Sequence, residues 1–168
     1  MNILLVEDEL LIAKDIETIL TGFGYSVLEI VSSGEDAIKR AEAIKPDLII
    51  MDVVLKGNIN GIDAAKEIRT HFGIPVIFLT AYSDKNTLIR AISTEPFGYV
   101  LKPVNDNNLF VAIEIAMVRN NLEKEKEQAK HRLYTTLKSI GEAVISTDIN
   151  ENIPFIKMGW IFKRLGWS

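Results

Sequence analysis

Five side chains of the right chemistry stand at the ends of apolar runs. Glu7 and Asp8 follow Ile3 to Val6, Asp52 follows Leu48 to Met51, Thr80 follows Val76 to Leu79, and Lys102 follows Gly98 to Leu101. An Asp closing a run as apolar as Leu48-Ile49-Ile50-Met51 is costly to bury without a partner. If these run ends meet, three carboxylates, a hydroxyl and an ammonium converge. Carboxylates packed together repel unless a cation joins them, and hard oxygen donors with room for water suit magnesium. With a metal beside it, a carboxylate can attack phosphorus while a lysine neutralises charge on the phosphoryl oxygens. Asp52 is the central candidate for that nucleophile, and a salt bridge from Asp52 to Lys102 is the alternative. Each of the others has a plainer role open to it: Thr80 as a strand cap, Tyr99 as a half-buried sheet residue, Lys102 as a surface lysine.

The elements must do the positioning. Up to about Asn120, short β-rich runs alternate with amphipathic stretches, the pattern of a parallel sheet covered by helices on both faces. The strands are expected at Ile3–Val6, Ser26–Val31, Leu48–Met51, Val76–Leu79 and Gly98–Leu101. The first helix carries Leu10, Leu11, Ile16, Ile19 and Leu20 and stops at Gly22 and Gly24. Ser33 opens a second, Lys45-Pro46-Asp47 breaks it, and Asn60-Gly61 opens a third that runs through Arg69. Ser83-Asp84 is expected to cap a fourth, and a fifth starts between Pro103 and Asp106. In such an open sheet the ligand site lies beyond the carboxyl ends of the strands, where all five candidates stand.

Composition excludes several chemistries. The chain has 168 residues and no cysteine, which removes disulfides, thiolate zinc sites and cysteine nucleophiles. A formal net charge of -4 gives no general attraction to nucleic acid, so a nucleic-acid-binding output is not expected. The longest apolar run is far shorter than the roughly 20 residues of a membrane span, and no basic leader precedes the first strand. A cytoplasmic protein without a membrane span is the expectation. His71 and His131 have no second ligand at metal spacing and read as surface residues.

Through Val6-Glu7-Asp8, Met51-Asp52, Leu79-Thr80-Ala81 and Leu101-Lys102-Pro103, residues 2 to about 120 resemble the receiver domain of response regulators. That resemblance implies a flavodoxin-like, doubly wound α/β fold with a five-stranded parallel sheet in order 2-1-3-4-5. It implies Asp52 as the phosphoacceptor, Asp8 as a magnesium ligand, Glu7 as a ligand through water, and the Val54 carbonyl as a further ligand. Lys102 would pair with the phosphoryl oxygens, Thr80 would move onto the phosphoryl group, and Tyr99 would turn inward behind it. Lys102-Pro103 is where the family places a cis peptide. A histidine kinase is the implied donor and an output domain or downstream protein the implied target, so the chain is read as a phosphoacceptor that modifies only itself. Two rivals are a receiver that only binds partners and a magnesium-dependent phosphohydrolase. The hydrolase would require an Asp where Val54 stands.

The chain beyond the receiver, 1–120, is expected to hold a helical linker, 121–136, and an incomplete PAS-like segment, 137–168. Val111, Ile115, Val118, Leu122 and Ala129 recur at spacings of three and four beside alternating charges at Glu123 to Glu127, a coiled-coil-like seam that could pair two copies. Ser139 to Asp148 reads as a helix end followed by a new strand. Ile140, Ala143-Val144-Ile145, Thr147-Asp148, Ile153, Phe155-Ile156 and Leu165-Gly166-Trp167 resemble the opening of a PAS sensor domain, with Lys157 and Trp160 departing from that pattern.

Overall fold

The computed structural model of the chain describes residues 1–81 and 96–147, with side chains through Ser139 in the last helix. The helix expected from Ser83-Asp84 and the segment from Asp148 onward lie outside the described residues.

Five strands, β1 (Asn2–Val6), β2 (Ser26–Val31), β3 (Leu48–Asp52), β4 (Val76–Ala81) and β5 (Gly98–Lys102), pair in the order β2-β1-β3-β4-β5. Every pairing is parallel. The helices are α1 (Leu10–Gly22), α2 (Gly34–Ile44), α3 (Gly61–Phe72) and α4 (Asp106–Thr147). The fold is therefore the expected five-stranded α/β sheet with a C-terminal helix. The central strands are unbroken apolar runs because both sheet faces are covered, so strict alternation is not required.

Alternation instead sorts side chains between two cores. Leu4, Val6, Ile49, Met51 and Phe78 pack with Ala37, Ala41, Ala65 and Ile68 of α2 and α3. Ile3, Leu5, Ile50, Ile77 and Leu79 pack on the other side with Ala13, Ile16 and Leu20 of α1 and Leu109, Ile113 and Ala116 of α4. Each large side chain removed from water in this way contributes about 1.5–3 kcal/mol.

Helix starts follow local chemistry. Ser33 Oγ accepts from the Asp36 amide at 3.2 Å and caps α2, and Asn60 Oδ1 accepts from the Asp63 amide at 2.9 Å and caps α3. At Gly61 an added Cβ would stand 1.9 Å from the Asp52 carbonyl oxygen, so only glycine lets α3 start this close to β3.

The chain divides into two units, Met1–Asn121 and Leu122–Ser168. The expected strand after Ser139 is replaced by helix, since α4 continues to Thr147. Leu137, Ile140 and Val144 recur at steps of three and four, the helical period, whereas a strand needs steps of two. Gly141 alone costs about 1 kcal/mol in a helix, too little to end one flanked by Lys138, Glu142 and Ala143.

Candidate functional site

Because β1 and β3 are neighbours while the chain leaves them toward opposite sides, the cleft at their carboxyl ends is the switch point of the sheet. The register sets Val6 beside Met51 and Asp52 beside Leu79, and across β4 it sets Ala81 beside Lys102. Glu7 and Asp8 leave β1 at this edge, so residues far apart in sequence meet there.

Glu7, Asp8 and Asp52 each offer a carboxylate oxygen, and the three atoms lie within 4.8 Å of one another. Lys102 Nζ reaches Asp52 Oδ2 at 2.6 Å and Glu7 Oε2 at 2.7 Å. The other Asp52 oxygen, Oδ1, accepts the Val54 amide at 3.0 Å. Asp52 is thus held at both oxygens by hydrogen-bond donors, one of them a charged ammonium. The donor set is hard oxygen, which fits a divalent cation such as magnesium; Asp8, Asp52 and Glu7 are the side chains that would hold one.

Burial raises the Glu7 pKa above the usual carboxylate range, and nearby Asp52 adds to the shift while Lys102 opposes it. For Lys102, burial acts to lower the pKa, but the contacts with Asp52 and Glu7 outweigh it and the net shift is upward. The lysine therefore stays charged wherever the cluster is ionised.

Thr80 is buried at the end of β4, and its hydroxyl donates locally to the Ala81 carbonyl at 3.3 Å. Tyr99 is half exposed on β5, outside the carboxylate cluster. The Lys102-Pro103 peptide is cis. His71 turns a ring nitrogen to the Glu67 carbonyl at 2.9 Å, within its own helix.

Two residues of the site are not apparent from sequence reasoning. Lys56 Nζ pairs with Asp8 Oδ2 at 3.0 Å. Glu35, at the start of α2, accepts from the amides of Asn58 and Ile59 at 2.8 and 3.2 Å and pins the loop that carries Val54 and Lys56. These amides hold the Glu35 carboxyl below its usual range, after its own amide as the largest cause. The sequence signal was slight: an acid two residues past a helix cap, and a lysine four residues past Asp52.

The response regulator receiver domain family matches residues 3–114. The transcriptional regulatory protein PdtaR of Mycobacterium tuberculosis is 37% identical over 138 residues, covering 80% of this chain and 67% of PdtaR. The chain spans about two thirds of PdtaR and about half of other curated relatives it matches. Among solved structures, the signal receiver domain of a modulated diguanylate cyclase from Desulfovibrio desulfuricans G20 has 35% identity and a TM-score of 0.69, covering 73% of this chain and 97% of that one. The N-terminal domain of a response regulator/sensory box/GGDEF 3-domain protein from Carboxydothermus hydrogenoformans has 34% identity and a TM-score of 0.67, covering 73% and 98%. Among the described residues, no helix is long and apolar enough to cross a membrane. The match over residues 3–114, with acids at the ends of β1 and β3 and a lysine at the end of β5, makes this chain a member of the response regulator receiver family, with a phosphoacceptor signalling role.

Proposed function

We propose that Asp52 is the phosphoacceptor and that Lys102, Thr80 and Tyr99 turn its modification into a change of surface. The observation that carries this reading is the bridge of Lys102 between Asp52 and Glu7, at 2.6 and 2.7 Å, inside a cluster of three carboxylates. Magnesium held by Glu7, Asp8, Asp52 and the Val54 carbonyl would offset negative charge on the carboxylates and on the phosphoryl oxygens.

The chain's own groups then have defined tasks. The Val54 amide fixes Asp52 Oδ1, which leaves Oδ2 as the attacking atom. A bond forms from Oδ2 to phosphorus as the bond from phosphorus to a kinase histidine nitrogen, or to the oxygen of a small acyl phosphate, breaks. Lys102 moves its contact from the carboxylate oxygen to a phosphoryl oxygen. Thr80 exchanges its weak 3.3 Å bond to Ala81 for one to the phosphoryl group, and Tyr99 turns in behind it. A two-state face around Thr80 and Tyr99 is thereby biased by one covalent event.

Histidine kinases and output domains are the partners of response regulators, and a histidine kinase is the proposed donor here. Hydrolysis of the aspartyl phosphate by the same site would reset the switch, with no external substrate turned over. Beyond α4 we read the chain as the start of a PAS-like segment; a receiver joined to a sensory box in the Carboxydothermus hydrogenoformans protein supports that order. Cytoplasmic placement suits a kinase-fed receiver.

The test is tyrosine and tryptophan fluorescence on adding magnesium and then beryllofluoride. A response that needs both reagents, and that disappears in Tyr99→Leu when tyrosine emission is followed, supports the switch. No response in the wild type would assign the chain to receivers that only bind partners.

A further inference from the structure

Outside the carboxylate cluster, one acid reaches beyond its own helix to a loop of the site. Glu35 stands in the first turn of α2, where the helix dipole alone would account for an acid. Its carboxylate goes further: Oε1 accepts the amides of Asn58 and Ile59, 23 and 24 residues along the chain, at 2.8 and 3.2 Å. Its own amide and these two hold the carboxyl below the usual range, so the loop is gripped by a charged group. Oε2 is enclosed against Gly57, where an added Cβ would stand 2.8 Å away. Gly57 also takes a φ of +125°, a conformation that side chains rarely adopt. The turn Gly57-Asn58-Ile59 is therefore shaped to the Glu35 carboxylate, with a glycine at the point of closest approach.

The same loop carries Val54. With Val54 as a metal ligand through its carbonyl, the direction of that ligand follows from the backbone alone, since a carbonyl has no rotamer to adjust. The Val54 side chain is 71% exposed, so its own packing does not fix the backbone. The loop is held on one side by the Val54 amide on Asp52 Oδ1 at 3.0 Å and on the other by Glu35 at Asn58 and Ile59, which leaves Leu55, Lys56 and Gly57 between the two anchors. Leu55 and Ile59 also pack against the core shared by α2 and α3, a hold without direction. The Lys56–Asp8 contact is no substitute for the anchor, because Lys56 is 80% exposed and Asp8 is itself a side chain that would turn to the cation.

We propose that Glu35 is a positioning residue for the metal step: it holds the loop after β3 in the shape that presents the Val54 carbonyl, and so sets the affinity of the site for magnesium without itself being a ligand. The proposal rests on the reading of Glu7, Asp8, Asp52 and the Val54 carbonyl as the ligand set. A loop ordered by its own contacts meets its conformational cost on folding rather than on binding, and a ligand held from outside the site binds more tightly for that reason. Glu35 also adds negative charge on the side of the loop, which by itself would attract a cation. Position and field separate in Glu35→Gln, which removes the charge and keeps an oxygen that can accept the same two amides.

The test is calorimetric titration of magnesium into the full chain, with acetyl phosphate labelling followed by intact mass over a magnesium series. Glu35→Ala should weaken magnesium binding by about tenfold. Amide exchange at Asn58 and Ile59 should quicken in the metal-free variant. The magnesium needed for half-maximal labelling should rise by the same factor, while the rate at saturating magnesium stays near that of wild type. Glu35→Gln should return affinity to within a few-fold of wild type. Gly57→Ala should weaken binding as Glu35→Ala does, and the double variant should lose less than the two losses summed, because both changes act on one contact. Unchanged magnesium affinity in Glu35→Ala, whatever its stability, would overturn the proposal, and so would a Glu35→Gln variant as weak as Glu35→Ala. Wild type that binds no magnesium would bring down the metal reading and the proposal with it. A tenfold loss in Glu35→Ala beside a wild type that takes no label would support the positioning role and count against the phosphoacceptor reading alone.

Discussion

Two lysine–aspartate pairs flank one cluster, alike in charge and unlike in burial. Lys102 meets Asp52 at 2.6 Å and Lys56 meets Asp8 at 3.0 Å, so contact distance barely separates them. Their surroundings do: the Lys102 side chain is 16% exposed and that of Lys56 is 80% exposed. Water screens the outer pair and competes for both partners, and such pairs contribute about 0–1 kcal/mol. The inner lysine shares two carboxylates in a space where none of the charges can be left alone. Breaking a buried pair by removing one partner costs about 3–5 kcal/mol, because the other charge stays behind uncompensated. Lys102 is in this reading as much a structural counterion as a phosphoryl contact, whereas Lys56 adjusts the charge that Asp8 presents.

The sharpest way to break the comparison is Lys102→Met. It should lower stability by about 3 kcal/mol in urea titrations done in metal-free buffer, with magnesium restoring part of the loss. An unchanged urea midpoint would make the inner pair no different from the outer one.

A pH series distinguishes the pairs more gently. Glu7 has a folded-state pKa raised above the ordinary 4.5, so its contribution is fully present below that value and is lost as pH rises through the folded pKa. Burial therefore makes the ionised form of Glu7 the costlier one for the metal-free fold. Glu7→Gln should remove the fall in stability that begins near 4.5, and should raise the neutral-pH melting temperature without magnesium. The same melts repeated with magnesium should bring wild type closer to the variant.

The smallest effect belongs to the outer pair. Lys56→Met should change stability by less than about 0.5 kcal/mol and should tighten magnesium binding a few-fold at low salt, a gain that calorimetry should find fading as salt is added. A loss as large as that of Lys102→Met would mean that exposure does not rank these pairs.

The same contrast explains what could be read from the sequence. The meeting of Asp52 with Lys102 was legible because each ends an apolar run, and strand ends of a parallel sheet converge whatever their separation along the chain. Glu7 and Asp8 were legible for the same reason. Lys56 and Glu35 were not, since their roles depend on how the loop after β3 folds back onto α2, a long-range geometry with no period. The contact of Gly61 with the Asp52 carbonyl was hidden behind an ordinary helix-start signal, Asn60-Gly61. The stretch after Ser139 was misread for a different reason: Val144-Ile145 has β-branched composition, but the steps from Leu137 to Ile140 to Val144 are helical, and α4 follows the steps.

The central claim is that Asp52 carries the phosphoryl group, and intact mass after incubation with acetyl phosphate and magnesium tests it most directly. Wild type should gain one phosphoryl group, removable by hydroxylamine and absent when magnesium is chelated, and Asp52→Asn should gain none. Equal labelling of Asp52→Asn would contradict the account.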